Sequence, residues 1–274
     1  MTIAKRPPVS CLLIDLDDTL YQCPEMSGLV SDKIREYMVN KLKIPVEEVQ
    51  EKCSELYLNF GTTLAGLVAS GYTVDFDDWH AEVHGTLPYE KYLRPDPKMK
   101  ILLDSIPVPK FIFTNADLKH AEICLDLMGL RSCFQGIICF ESIMKAAEQN
   151  GMVHHNKPVI CKPNRQAFEL ALKEANGAEI ATTAFFDDST RNITSAHRIG
   201  IFSVLIGRVG VECASDVQMR SMHELKEHLP WLVEIGDGCP GDDGPVAASP
   251  CLAKNEAAEE LLEEAHLTAL SVRA

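Results

Sequence analysis

Two pairs of aspartates have the residue type and spacing that metal-assisted chemistry requires. Asp15 and Asp17 follow one short apolar run, and Asp187 and Asp188 follow another. Each pair alone could be a solvated turn or a helix cap, because Asp is common in both. If all four carboxylates share one site, their repulsion requires protonation or a hard cation. Oxygen ligands of this kind suit Mg²⁺.

Two further polar elements lie beside apolar segments. Thr114 and Asn115 follow an apolar run and precede a helical pattern. A hydroxyl and an amide at a helix start could hold a phosphate group, or could simply cap the helix. Lys162 precedes Pro163 and another helical pattern. A lysine alone is usually a surface residue, but in this series it could offset the charge of a bound phosphate.

The elements that must position these side chains alternate along the chain. Strands are predicted at 10–14, 110–113, 136–140, 183–186 and 201–206, and helices at 118–128, 165–175 and 190–198. This alternation indicates an α/β fold with a Rossmann-like parallel sheet and helices on both faces. In such sheets ligands bind beyond the carboxyl ends of the strands, where the polar residues fall.

The long stretch between the first two strands exceeds an ordinary crossover connection. Its apolar spacing predicts helices at 27–43, 45–71 and 76–83. We therefore predict a discontinuous core of residues 1–21 and 96–235, with an inserted α-helical cap at 22–95. Polar breaks make Thr62 and His84 candidate substrate contacts, although a lone histidine such as His84 is more often structural. The pair His154-His155 is interpreted as a solvated loop rather than a metal site.

The composition limits the classes of protein and partner. The 274 residues are 46% hydrophobic, which suffices for a core and a smaller second domain. The net charge of −14 argues against polymeric nucleic acid as a partner. Ten scattered cysteines, no signal-like start and no apolar run of about 18 residues predict a cytoplasmic protein without a membrane span. Residues 236–274 are predicted to be a flexible linker and an acidic helical tail.

Taken in order, the four polar elements resemble the four motifs of the haloacid dehalogenase superfamily. Those motifs are DxDx(T/V), a Ser/Thr strand end, a lysine and a paired-acid motif, and the resemblance covers about residues 10 to 230. An insertion directly after the first motif is also typical of that superfamily. Several shorter segments look similar to its plant and fungal pyrimidine 5′-nucleotidase-like branch, namely 57–61, 64–67, 93–96, 113–116 and 186–189.

The resemblance implies a role for each catalytic position. Asp15 would be the nucleophile that forms an aspartyl-phosphate, and Asp17 the general acid and base. Lys162 would offset negative charge on the nucleophile and the phosphoryl group. An acid two residues after the nucleophile favours phosphate esters, because an alkoxide leaving group needs a proton and a halide does not.

The resemblance also implies the ligand sets. Thr114, Asn115 and Lys162 would bind phosphate. Mg²⁺ would bind the Asp15 carboxylate, the Asp17 backbone carbonyl and Asp188, with Asp187 either ligating or orienting another ligand. Asn192 stands where many members have another Asp, which leaves the division between Asp187 and Asp188 open.

The predicted activity is magnesium-dependent hydrolysis of a small phosphate monoester, with a nucleoside 5′-monophosphate as the favoured substrate. Three alternatives remain open. A phosphatase or phosphomutase acting on another metabolite, such as a sugar phosphate, would use the same nucleophile. A signalling receiver domain is disfavoured by the insertion, and a non-enzymatic interaction module by the complete set of motifs.

Overall fold

A single parallel sheet forms the centre of the molecule. The computed structural model describes residues 7–233. Its six strands are ordered β3-β2-β1-β4-β5-β6, and all neighbouring pairs are parallel. The strands are β1 (Cys11–Ile14), β2 (Lys110–Phe113), β3 (Gly136–Ile138), β4 (Thr183–Asp187), β5 (Phe202–Ile206) and β6 (Val217–Met219). The predicted α/β, Rossmann-like fold is confirmed.

The central strands are buried on both faces. Leu13 of β1 belongs to one apolar cluster, whereas Leu12 and Ile14 belong to a second cluster on the other side of the sheet. Continuous apolar runs are typical of parallel strands that have helices on both faces. Ile14 is in register with Ile112 of β2 and Phe186 of β4. The residues that follow these three strands therefore emerge at the same edge.

Helices after β1 cover both faces of the sheet and connect its strands. From residue 97 onward they are α6 (Pro97–Asp104), α7 (Leu118–Met128), α8 (Phe140–Gln149), α9 (Arg165–Glu174), α10 (Thr190–Arg198), α11 (Leu225–His228) and α12 (Pro230–Val233). The predicted helices at 118–128, 165–175 and 190–198 agree with α7, α9 and α10 within one residue. Helices α6, α8, α11 and α12 were not predicted.

The long connection from β1 to β2 is helical. It contains α1 (Pro24–Asn40), α2 (Val46–Phe60), α3 (Thr63–Ala69), α4 (Phe76–Val83) and α5 (Tyr89–Tyr92). The single helix predicted at 45–71 is wrong, because Gly61 (φ 90°) ends α2 and the Thr62 side chain caps α3. The division into cap and core domains stays a prediction, and residues 236–274 lie outside the described range.

Two strand predictions also differ from the structure. The strand predicted at 136–140 ends at Ile138, because Cys139 is the N-cap residue of α8 and donates its backbone N–H to Ser142 Oγ at 2.8 Å. Strand β6 was not predicted.

Between residues 7 and 233, no helix has the length and apolar character to cross a bilayer. The eight cysteines in this range are all free.

Candidate active site

A buried lysine joins two of the predicted acids at the carboxyl edge of the sheet. Asp15 directly follows β1, and Asp187 is the last residue of β4. Lys162 Nζ donates to Asp15 Oδ1 at 2.7 Å and to Asp187 Oδ2 at 2.8 Å. It also donates to the Phe113 carbonyl oxygen at 2.6 Å. Each ammonium proton therefore has an acceptor, which a buried cation requires.

The loop carrying Lys162 is fixed by side chains on neighbouring elements. Asn115 Oδ1 accepts from the Lys162 N–H at 2.9 Å, and Asn115 Nδ2 donates to the Lys162 carbonyl at 3.1 Å. Ser195 Oγ donates to the Pro163 carbonyl at 2.6 Å. Asn164 caps α9 by accepting from the Gln166 N–H at 2.8 Å. The Asn115 amide thus positions the lysine, a role that the sequence did not indicate.

Three carboxylates lie close enough to hold one metal ion. One oxygen from each of Asp15, Asp187 and Asp188 lies within 4.8 Å of the others. Burial, together with the neighbouring aspartates, raises the pKa of Asp15 well above its usual range despite the opposing effect of Lys162. Burial and the charges of Asp187 and Asp18 raise the pKa of Asp188 to about 7. One lysine does not balance these acids, so the all-oxygen donor set fits Mg²⁺.

The contacts of Asp187 indicate which of the two paired acids, Asp187 or Asp188, is free to bind a metal ion. Asp187 is fully buried and accepts from Lys162, from Asn192 Nδ2 at 2.9 Å and from the Ser189 N–H at 2.8 Å. Asp188 is only partly buried and lines the cavity described below. We propose that Asp188 binds the metal directly and that Asp187 mainly orients Lys162. Asn192, which stands where an acid was expected, supplies Asp187 with a donor.

Thr114 lies beside the aspartates at the end of β2. It is 3% exposed, and its Oγ1 accepts from the Ala116 N–H at 3.0 Å. The cap of α7 is Asp117, which accepts from the His120 N–H at 3.0 Å. Thr114 and Asn115 therefore do not cap this helix, and both line the cavity. Their role in phosphate binding stays a prediction.

Asp17 is paired with a histidine that the sequence did not single out. Its Oδ1 lies 2.8 Å from His120 Nε2 and also accepts a hydrogen bond from the Tyr21 hydroxyl. Burial alone would raise the pKa of Asp17, but the attraction of His120 and these hydrogen bonds lower it to about 2. Burial likewise opposes charge on His120, yet Asp17 raises the pKa of His120 well above its usual value. Both shifts favour an ionised Asp17 beside a protonated His120.

A cavity of about 300 Å³ opens beside these groups. The predicted site residues that line it are Asp15, Asp17, Thr62, His84, Thr114, Asn115, Lys162 and Asp188. Thr62 caps α3, and His84 contacts Asp117, so both already have partners within the protein. Ile34, Trp79, Val83 and Phe140 form an apolar part of the wall. His154 and His155 are exposed and outside this site.

The helical segment touches the lysine loop at Gly61. A Cβ atom at this position would lie 2.6 Å from the Lys162 carbonyl oxygen and 2.6 Å from Pro163 Cδ. Real Cβ contacts of this kind are essentially never so short, so the loop would have to move. Gly61 therefore allows both a positive φ and the close approach of the two segments.

Comparing Gly61→Ala with Gly71→Ala should isolate this close approach. Gly71 has almost the same φ (91°), but a Cβ there would have no neighbouring atom within 4 Å. We expect Gly71→Ala to cost about 1–2 kcal/mol of unfolding free energy from strain alone. Gly61→Ala should cost roughly 1–3 kcal/mol more, because it also overpacks the lysine loop. Urea unfolding measures the free energy of both variants. Equal losses of unfolding free energy in the two would contradict the close contact between Gly61 and the Lys162 loop.

Sequence reasoning missed two of the three histidines around Asp17 and Asp117, and it singled out His84 only as a candidate substrate contact. His120 was not considered, and His80 was read only as part of a helix. A weak signal was present, because His80 and His84 are four residues apart and would share one face if the helix predicted at 76–83 continued by one residue. Nothing in the sequence placed that face against α7.

The sheet, the aspartate pairs and the buried lysine together define a haloacid dehalogenase-type α/β hydrolase. The profile of the haloacid dehalogenase-like hydrolases matches residues 9–200. The chain belongs to this family. Its resemblance to the superfamily is therefore confirmed.

The individual relatives share low sequence identity with this chain. The chain is 25% identical over 241 residues to phosphate metabolism protein 8 of Saccharomyces cerevisiae, covering 84% of this chain and 71% of the yeast protein. Its fold is similar to that of YfnB from Bacillus subtilis, a structure solved with bound magnesium (TM-score 0.51, 16% identity, 81% of this chain and 99% of YfnB). It also matches L-2-haloacid dehalogenase from Xanthobacter autotrophicus (TM-score 0.49, 13% identity, 84% and 100%).

Proposed function

We propose that the protein is a Mg²⁺-dependent phosphomonoesterase that works through an aspartyl-phosphate on Asp15. The observation that carries this proposal is the position of Lys162 Nζ between Asp15 and Asp187, beside Asp188. This arrangement supplies a carboxylate nucleophile, a fixed positive charge and an oxygen site for a divalent cation. Mg²⁺ would neutralise charge on the transferring phosphoryl group.

In the first step, an oxygen of Asp15 bonds to phosphorus while the ester P–O bond breaks. The leaving alkoxide takes a proton from the Asp17–His120 pair, in which His120 Nε2 lies 2.8 Å from Asp17 Oδ1. Lys162 stabilises the negative charge that develops on the phosphoryl oxygens. In the second step, water attacks phosphorus, its proton returns to the Asp17–His120 pair, and the Asp15 carboxylate is released with inorganic phosphate.

A nucleoside 5′-monophosphate is the substrate that we favour. The cavity extends from the aspartates to an apolar wall that includes Trp79 and Phe140, which could pack against a flat base. The yeast relative is named for phosphate metabolism, which supports a phosphorylated substrate more coarsely. The eight free cysteines support a reducing, cytoplasmic location, and the net charge of −14 supports a small substrate rather than a nucleic-acid polymer.

The test is phosphate release from a panel of nucleoside monophosphates and sugar phosphates, with and without Mg²⁺. We expect release from a pyrimidine nucleoside 5′-monophosphate that stops when EDTA removes the metal and returns when Mg²⁺ is restored. If the protein released phosphate mainly from sugar phosphates, the phosphatase activity would stand but the proposed substrate would be wrong. If it isomerised a sugar phosphate without releasing free phosphate, it would be a mutase. Release from no compound would refute the proposal.

A further inference from the structure

His80 of α4, His84 directly after α4 and Asp117 directly before α7 converge beside the cavity. His80 and His84 lie one helical turn apart, and Asp117 caps the first turn of α7. His84 Nδ1 is 2.5 Å from Asp117 Oδ2, and His80 Nδ1 is 3.4 Å from the same oxygen. One ligand atom from each of the three side chains lies within 4.8 Å of the other two.

The contacts within the protein do not satisfy His80. Both of its ring nitrogens are buried, and neither has a hydrogen-bond partner among residues 7–233. Its side chain is only 11% exposed, and its ring packs against Phe140 at a centroid distance of 4.7 Å. Buried polar atoms in native proteins nearly always have a hydrogen-bond partner, so an unpaired group calls for an explanation. A structural His–Asp pair explains His84, but it does not explain His80.

The three side chains are of types that bind metal ions. A metal ion binds the neutral imidazole of a histidine and the ionised carboxylate of an aspartate, and both groups readily adopt these forms near neutral pH.

We propose that His80, His84 and Asp117 bind a divalent transition-metal ion, with Zn²⁺ as the best fit. Imidazole nitrogen with carboxylate oxygen is a common zinc donor set, and histidines four residues apart on a helix are a common spacing. Three protein ligands leave a fourth position, which would face the cavity because His80 and His84 line its wall. The all-oxygen set at Asp15, Asp187 and Asp188 suits Mg²⁺ instead.

An ion at this site would connect two parts of the fold. It would join α4, in the helical segment between β1 and β2, to the start of α7, which follows β2. The His84 ring lies 4.5 Å from the His120 ring, and His120 in turn contacts Asp17. The ion would therefore lie two side chains from Asp17.

Binding can be measured on the purified full chain, without substrate and with saturating Mg²⁺ to fill the oxygen site. Co²⁺ serves as the spectroscopic probe, and Zn²⁺ then competes for its position. We expect one Co²⁺ per chain with visible ligand-field bands, displaced by one Zn²⁺. The intense near-ultraviolet bands of cobalt–thiolate bonds should be absent, which separates this site from cysteine sites.

Two variants and one control identify the ligands. His80→Ala and Asp117→Asn should each weaken binding by at least about tenfold. Asn is also a good helix cap, so Asp117→Asn keeps the start of α7 and guards against a folding defect in His80→Ala. The double variant His154→Ala/His155→Ala removes two exposed histidines outside the cluster and should bind as the unaltered chain does.

Unchanged affinity in folded His80→Ala and Asp117→Asn proteins would overturn the site. A thiolate spectrum, or no bound Co²⁺ or Zn²⁺ in the unaltered chain, would do the same. These measurements do not depend on phosphate release. If no metal bound at this site, the proposed phosphatase activity would still stand, and if no phosphate were released, the proposed metal site would still stand.

Discussion

Replacing Asp15 with Asn should reduce phosphate release by at least about 10³-fold while leaving the protein folded. The amide keeps the shape of the carboxylate but is too weak a nucleophile to attack phosphorus. Asp15 is 7% exposed and lies among other acids that oppose its ionisation, so losing its charge should not destabilise the fold. Phosphate release and the melting temperature in Mg²⁺-free buffer measure the two effects.

Asp126→Asn is the matched control for this change. Asp126 lies on α7, is exposed, and has no place in the proposed machinery. The same chemical substitution there should leave both activity and melting temperature unaltered. If Asp15→Asn retained full activity in a folded protein, Asp15 would not be the nucleophile.

Removing the charge of Lys162 should damage both stability and activity. In Lys162→Met, Asp15 and Asp187 lose their shared partner, which is 1% exposed. Breaking a buried ion pair on one side typically costs about 3–5 kcal/mol. We expect a loss of that size in urea unfolding without Mg²⁺, together with loss of phosphate release because the transferring group loses a fixed charge.

The pH dependence of this loss has a definite sign. Burial raises the pKa of Asp15, and this variant lacks the opposing charge of Lys162, so Asp15 takes up a proton more readily in the folded than in the unfolded state and the folded variant gains stability as the pH falls. The deficit of Lys162→Met should therefore be larger at about pH 8 than at about pH 5. A deficit that does not change between these pH values would argue against charge as its cause.

A second substitution separates stability from catalysis. Asp187→Asn removes one of the two charges that Lys162 offsets, so the double variant Lys162→Met/Asp187→Asn should regain part of the lost stability. It should not regain phosphate release, because the positive charge beside Asp15 is still missing. Additive losses in the two single variants would show that Lys162 and Asp187 are not energetically coupled.

Much of the fold could be predicted because its signals are local. Strand β1 is a run of four apolar residues, all buried, and α7 begins and ends where its pattern does. Helix α8 was missed because the run 136–140 is apolar throughout, and only the Cys139–Ser142 contact shows where the strand ends. Strand β6 is short, and two of its three residues are only partly buried, so it carries little apolar pattern.

The site likewise contains residues that a local sequence signal indicates and residues that it does not. Asp15, Asp17, Lys162 and Asp188 could be selected because each lies at the end of an element in a recognisable order. The Asp17–His120 pair depends on how α7 lies beside the segment that follows β1, and the cluster of His80, His84 and Asp117 depends on how α4 lies against the start of α7. That packing has no local sequence signal, and so only the structure shows it.

The position of β1 in the middle of the sheet has a consequence for synthesis on the ribosome. This strand is complete at Ile14, but its two neighbours begin only at Lys110 and Thr183. The ribosome adds roughly 5–20 residues per second, so on the order of ten seconds or more pass between the synthesis of β1 and that of its second partner, β4. During that time an apolar strand with free edges is exposed to other nascent chains, so we expect newly made protein to need a chaperone until β4 has emerged.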